Sequence, residues 1–318
     1  MNWAGSVEDV LGRVAMFSGR AVEHRRMPGG LSHQIWLVTT GERSYVLRVL
    51  DPAVSAAGLG VPPAVEITNT LRAAEGGVGA RVFEVLPDVP ALVLEFLPGR
   101  TLSAADVRNP TTASRIARAC ARLHAGPRFA NEFTIIAKLH ELLNICRQHE
   151  LRIPDDYLDR LSSVEELGRA LDARELPSVP CHNDLLPENF IDSGGVIRII
   201  DYQLAGNNDP TFELGDIAAE AKLDPDQTDA LTAAYFGDEC TPALTARVRL
   251  NLLLSNVAWT LWFSVHHGLL HHHTATFDYW SEAADKWNRA LRDLDSPEHP
   301  RLLDAVAGRL RQPQGGAQ

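Results

Sequence analysis

The segment Cys181-His182-Asn183-Asp184-Leu185-Leu186-Pro187-Glu188-Asn189 is followed, twelve residues after Asn189, by Asp201 in Ile199-Ile200-Asp201-Tyr202-Gln203. A loop ending in a short hairpin would carry Asn189 at the start of one strand and Asp201 at the end of its partner, so the turn brings both beside Asp184. Three hard oxygen donors then converge, which suits phosphoryl transfer. Mg²⁺ takes a few carboxylate or amide oxygens and completes its octahedron with phosphates and water. Asn189 and Asp201 meet that demand and leave Asp184 free to accept a hydroxyl proton and orient the nucleophile. Singly, Asp184 and Asn189 read as turn-formers beside Pro187, and Asp201 as a cap. The combination, with His182 two residues before the aspartate, argues for catalysis.

The elements that would position this group fall into two parts. From Arg20 to about Leu97 the chain reads as strands with one helix. Residues 35–39 and 44–50, rich in β-formers around the turn Thr40-Gly41-Glu42, predict a hairpin. A helix after Pro62-Pro63 runs to Gly76-Gly77, and strands follow over 81–85 and 91–96, ending at Pro98-Gly99. Beyond that boundary the pattern turns helical. Ile116, Ala119, Cys120 and Leu123 share one face of a helix that starts at Asn109-Pro110 and stops at Gly126-Pro127. Helices continue to about Ala173, a β insertion spans 189–200 around Ser193-Gly194-Gly195, and helices resume from Glu213 to about Arg311.

The first part supplies what a nucleotide site needs. In Pro28-Gly29-Gly30-Leu31-Ser32-His33 the paired glycines would let backbone amides approach phosphate oxygens with no Cβ in the way. Taken alone, this is also an ordinary hairpin turn. Arg48 sits inside an apolar strand, where a charge needs a partner, and Glu66 on the following helix is the candidate. A surface Arg–Glu pair is the plainer alternative.

His182-x-Asp184-x-x-x-x-Asn189 with the later Asp201 resembles the catalytic and metal-binding loops of the protein-kinase-like superfamily. More narrowly, His182-Asn183-Asp184-Leu185 and Ile200-Asp201-Tyr202-Gln203-Leu204-Ala205-Gly206 resemble the choline/ethanolamine kinase and aminoglycoside phosphotransferase group. The resemblance covers about Gly29 to His266. It implies an α+β, two-lobed kinase-like fold: a small antiparallel sheet lobe with one helix, residues 1–97, and a larger, mainly helical catalytic lobe, residues 98–318. By position it implies Asp184 as base, Asn189 and Asp201 as Mg²⁺ ligands and His182 as organiser of the loop. It also implies Gly29, Gly30, Ser32, Arg48 and Glu66 on the phosphates of ATP, with Arg where protein kinases carry Lys. Arg keeps the charge and adds a bidentate fork. Leu92-Val93-Leu94-Glu95-Phe96-Leu97 resembles the segment between the lobes whose main chain, at Glu95 and Leu97, would hydrogen-bond adenine.

Acceptor choice turns on the apolar run 250–266. Leu250, Leu254, Val257, Leu261 and Val265 form one helical stripe, with Trp259, Trp262 and His266 on roughly the opposite side. Spacing alone reads the indoles as core packing. Ala258-Trp259-Thr260-Leu261-Trp262 is similar to the Trp-x-x-Trp helix of choline kinases, which implies an aromatic box for a quaternary ammonium. The segment 209–220 resembles the one in which an acidic residue faces the choline nitrogen, which maps onto Glu220. Two departures stand: Leu204 lies where the family often has an aromatic, and Glu213 where it usually has Asp. The implied activity is ATP-dependent phosphorylation of choline or a related amino alcohol. An aminoglycoside or other amino-alcohol acceptor is the alternative, and a catalytically silent nucleotide- or amine-binding protein is the alternative of another class.

The composition agrees. Of 318 residues, 30 are Lys or Arg and 41 Asp or Glu, a formal charge of −11 that suits a cationic acceptor and argues against nucleic acid. At 45% apolar and 22% charged, the chain can build a large core, which excludes disorder over most of it. Cys120, Cys146, Cys181 and Cys240 lack a C-x-x-C pair and read as reduced core residues. No secretory signal is legible in Met1–Asp9, and the run 250–265, broken by Asn251, Ser255 and Asn256, is too short for a bilayer span. A cytoplasmic protein is the expectation. His266, His267, His271, His272 and His273 invite a metal reading, but Gly268 interrupts the pair 267/271 and a solvated helix end is expected instead.

Overall fold

Apolar alternation and turn chemistry set the N-terminal part. The computed structural model describes residues 6–27, 32–86, 88–270 and 277–308. After a short helix α1 (Val7–Leu11), the strands β1 (Glu23–Arg26), β2 (Gln34–Thr40), β3 (Arg43–Val49), β4 (Val82–Leu86) and β5 (Ala91–Glu95) form one antiparallel sheet in the order β1-β2-β3-β5-β4. The β2–β3 hairpin turns at Gly41, whose φ of 59° places it in the left-handed region. His24-Arg25-Arg26 lies in the outermost strand, mostly exposed, as a charged edge that discourages further pairing. Helix α3 (Pro63–Glu75) begins just after Pro62 and ends at Gly76, as the flanking residues dictate. A second, shorter helix, α2 (Pro52–Ala56), corrects the single-helix expectation: Asp51 caps it through the Ala53 amide and Pro52 opens its first turn.

The chain crosses out of the sheet at Pro98-Gly99. A Cβ at Gly99 would stand 2.4 Å from the Asp192 carbonyl oxygen, so only glycine lets β6 (Arg100–Thr101) lie beside the β insertion. The remainder is mainly helical: α4 (Ala104–Val107), α5 (Pro110–His124), α6 (Ile135–Gln148) and α7 (Leu161–Asp172) precede β7 (Val179–Cys181), β8 (Phe190–Ser193), β9 (Val196–Ile199) and β10 (Gly206–Asn208). Strands β6, β8 and β9 form one small sheet, and β7 pairs with β10. Then come α8 (Pro210–Glu220), α9 (Pro225–Phe236), α10 (Pro242–Leu269), α11 (Tyr279–Leu294) and α12 (His299–Val306).

Helix α10 is the spine of the largest apolar core. Leu250, Leu254, Val257, Leu261 and Val265 are all fully buried, but so are Trp259 and His266 on its other side. Gly215 lets α8 press against it, since a Cβ there would fall 2.6 Å from the Leu252 amide nitrogen. His266 is not at a solvated helix end; it is buried and stacks on Tyr279, ring centroids 4.0 Å apart, because α11 folds back over this end of α10. His267 is half-buried, and His271, His272 and His273 lie outside the described residues. The four cysteines are unpaired thiols, three of them buried. No described helix is long and apolar enough to cross a membrane.

Candidate active site

Two acidic turns and one histidine form the centre of the site. His182 is fully buried, and its Nε2 lies 2.8 Å from the Ile200 carbonyl, so Nε2 carries the proton and donates. Its Nδ1 is then the acceptor for the Asp184 amide at 3.3 Å. One neutral imidazole thus ties the loop holding Asp184 to the residue just before Asp201, and burial, which lowers its pKa, favours that neutral form. Asn189 closes the arrangement: its Nδ2 donates to the Asp184 carbonyl at 2.8 Å, while the Ile200 amide donates to its backbone carbonyl at 3.0 Å. Asn183 and Asp201 both turn with left-handed backbones, φ 67° and 72°. Asn and Asp tolerate that region better than other side chains.

Behind the loop stand two carboxylates. Glu213, with no exposed surface, accepts the His182 amide at 2.8 Å and the Asn183 amide at 2.7 Å, and its Oε1 lies 3.5 Å from His124 Nε2. Burial works to raise its pKa, but its interactions with His124 and the hydrogen bond from the His182 amide outweigh it and hold the carboxyl below its ordinary value. Asp216, equally buried, accepts the Leu185 amide through Oδ2 and both Ser255 Oγ and Trp259 Nε1 through Oδ1, at 2.7–2.8 Å. Burial and then the charge of Glu220 push it up to about 7. Asp184 moves the same way, well above the carboxylate range, through burial and then the charges of Asp216, Glu220 and Asp201, with Lys286 opposing.

The sheet adds a cation. Arg48 Nη2, on β3, forms an ion pair with Glu66 Oε1 on α3 at 2.9 Å and donates to Asp201 Oδ1, so one guanidinium joins both parts of the fold. Burial raises the Asp201 carboxyl, but Arg48 overrides it through charge and hydrogen bond and holds it at about 2. His33 Nε2 adds a second contact to Glu66 at 3.3 Å. Gly29 and Gly30 lie outside the described residues; Ser32, just after them, accepts from Gln203 Nε2 at 3.1 Å. At the end of β5 the Glu95 amide donates to the Arg81 carbonyl at 2.8 Å, the Glu95 side chain accepts the Arg81 amide at 3.1 Å, and Leu97 is buried.

Trp259, Trp262 and Glu220, which the sequence resemblance puts on the acceptor side, are engaged differently than their spacing suggests. Trp259 and Trp262 are 3% and 8% exposed, and their indole N–H groups are taken by Asp216 and by the Leu59 carbonyl. Glu220 Oε1 accepts from Lys286 Nζ of α11 at 2.6 Å. Glu213, Asp216 and Lys286 are the site's unanticipated members. The acids were discoverable: residues 213, 216 and 220 share one face of an otherwise apolar helix, and carboxylates are rarely buried without donors to receive them.

The sheet and the mainly helical remainder form a protein-kinase-like, two-lobed architecture, and the chain is a phosphotransferase. The chain belongs to the APH phosphotransferase enzyme family, whose sequence pattern matches residues 23–250. It is choline/ethanolamine kinase-like, with an alcohol group as acceptor. Among its relatives, Protein LicA of Haemophilus influenzae is 26% identical over 259 residues, spanning 74% of this chain and 71% of that protein. Ethanolamine kinase 1 of Mus musculus is 26% identical over 241 residues, 63% of this chain and 65% of that one. A crystal structure of a choline/ethanolamine kinase family protein from Mesorhizobium loti superimposes with a TM-score of 0.81 at 28% identity, covering 95% of this chain and 98% of the other.

Proposed function

We propose that this chain is an ATP-dependent kinase that transfers the γ-phosphate to the hydroxyl of choline or a related amino alcohol. The observation that carries the reading is the His182 bridge, which fixes the turn of Asp184 against that of Asp201. Asp184 takes the hydroxyl proton and orients the oxygen; its raised proton affinity suits a base better than an ordinary aspartate would. Arg48, held by Glu66, sets the phosphates together with Gly29, Gly30 and Ser32, and the main chain at Glu95 and Leu97 receives the adenine. Residues 1–97 then form the nucleotide-binding lobe and residues 98–318 the catalytic and acceptor lobe, with Trp259, Trp262 and Glu220 on the acceptor side.

The donor set fits Mg²⁺. Asn189 spends its NH₂ on the Asp184 carbonyl, so its amide oxygen is the atom it could offer a cation, and Arg48 engages only one oxygen of Asp201. An amide oxygen and a carboxylate are hard donors of the kind Mg²⁺ takes beside phosphates, so Asn189 and Asp201 would hold it. Bound there, it supplies neutralisation of triphosphate charge. The rest is alignment by this chain's own side chains.

The test is ADP release by the purified enzyme with choline, ethanolamine and an aminoglycoside. Turnover of an amino alcohol is expected, and turnover of the aminoglycoside alone would reject the acceptor. Asp184→Ala should lose about 10²–10⁴-fold in kcat, the usual contribution of a general base, while still binding ATP with Mg²⁺. Undiminished turnover would reject the role of Asp184.

A further inference from the structure

Lys286 is 1% exposed, an unusual state for a lysine. It projects from α11 into the acidic end of the site, where Nζ donates to Glu220 Oε1 at 2.6 Å and stands 5.7 Å from the centroid of the Phe263 ring. Glu220 is the last residue of α8, one turn beyond Asp216, and a carboxylate at a helix C-terminus faces the negative end of the backbone dipole. It needs a cation. Phe263 belongs to a run of aromatic rings with Trp262, Tyr279 and Phe277. A mostly buried carboxylate paired to a cation that lies near an aromatic ring marks an environment that draws a small organic cation. Here the cation is already part of the chain, and its charge reaches as far as Asp184.

We propose that Lys286 is a resident cation, seated where the ammonium of an acceptor would otherwise pair with Glu220, and that it sets selectivity against quaternary ammonium alcohols. A quaternary nitrogen has no N–H. To enter it must displace Lys286 and leave Glu220 with an ion contact where there was a short, charge-assisted hydrogen bond. A primary ammonium replaces that bond with one of its own. Among amino alcohols the ethanolamine type is therefore favoured over choline. The ranking of acceptors rests on the amino-alcohol reading given above; the occupied seat does not.

The test is Lys286→Met, which keeps the length and removes the charge. Tetramethylammonium, which carries no hydroxyl and cannot be phosphorylated, reads the seat alone by calorimetry on the full chain. Its Kd should fall about thirtyfold in the variant, the ratio one desolvated cation–aromatic contact carries. The ratio of kcat/KM for choline to that for ethanolamine should rise in parallel, and Glu220→Gln added to Lys286→Met should cancel both gains. A general loosening of the fold would shift neither the ratio nor the dependence on Glu220. If Lys286→Met is unstable, recovery of its thermal transition in tetramethylammonium chloride, against equal NaCl, reads the same property. Unchanged tetramethylammonium affinity, or no such recovery, overturns the proposal even if wild type phosphorylates amino alcohols. Tighter tetramethylammonium binding with no turnover of either amino alcohol upholds the seat and overturns the ranking.

Discussion

Glu213 offers the sharpest test of how the catalytic loop is held. Its two carboxylate oxygens receive the consecutive amides of His182 and Asn183 at 2.8 and 2.7 Å, immediately before Asp184. Hydrogen bonds to a charged group contribute about 1.5–3 kcal/mol each. Glu213→Gln keeps one acceptor and turns an NH₂ toward the other amide, so one bond is lost and two donors face each other. The expected cost is about 3 kcal/mol, or about 4–5 °C in Tm at an unfolding entropy of about 2.1 cal/mol/K per residue over 318 residues. The consequence for chemistry is separate. With one amide released, the backbone entering Asp184 is free to shift, and a displacement on the order of 1 Å at a reacting group costs about 10²-fold in rate. Differential scanning fluorimetry and ADP-release kinetics measure the two effects, and calorimetry with an ATP analogue shows whether nucleotide binding persists. A lowered Tm with undiminished kcat would mean that Glu213 supports the fold without positioning the base. No change in either would refute the clamp.

Arg48→Met removes the guanidinium shared by Glu66 and Asp201, and breaking a buried ion pair costs about 3–5 kcal/mol, so Tm should drop by about 5–7 °C while KM for ATP rises. Arg48→Lys should recover part of both; equal loss in the two variants would show that charge is not what matters. The acidic limb of kcat/KM reports protonation of the base. Asp216 is among the charges that raise Asp184, so Asp216→Asn should move that limb to lower pH, and a shift to higher pH would contradict the assigned coupling. Stability carries the same sign. The folded Asp216 carboxyl holds its proton up to about 7 against 3.8 ordinarily, so wild-type stability declines as pH rises across that window, and Asp216→Asn should flatten the decline in a Tm–pH series.

What could be read from the chain and what could not divide along physical lines. The β2–β3 hairpin and helices α3 and α5 were legible because their signals are local: alternation, a proline near the start, a glycine or a capping asparagine at an end. Arg48 and Glu66 were legible as a pair because a charge inside an apolar strand must be answered. The roles of Glu213 and Asp216 were not, because the groups they serve are backbone amides about thirty residues away, and amides leave no mark in a sequence. Lys286 sits on a strongly amphipathic helix, where a lysine reads as a surface residue until the partner helix is in place. The tryptophans were ambiguous for a related reason. Residue type gives an indole, but only packing decides whether its N–H meets Asp216 and a carbonyl, as here, or leaves its face open to a ligand.

Asp184 and Asp201 are the same residue type, and one imidazole ties the Asp184 amide to the Ile200 carbonyl just before Asp201, yet their surroundings drive them apart. Asp201 meets a guanidinium that arrives from the sheet and stays ionised to about pH 2. Asp184 meets Asp216 and Glu220, both from α8, and holds its proton far above the usual range. A ligand for a cation must be an anion under all working conditions, whereas a base must want the proton it is to receive. Sequence motifs assign both residues as aspartate and stop there. The separation of the proposed roles rests on one cation brought by β3 on one side and two acids brought by α8 on the other. Mutating either supporting element should therefore change how one aspartate titrates before it changes where that aspartate sits.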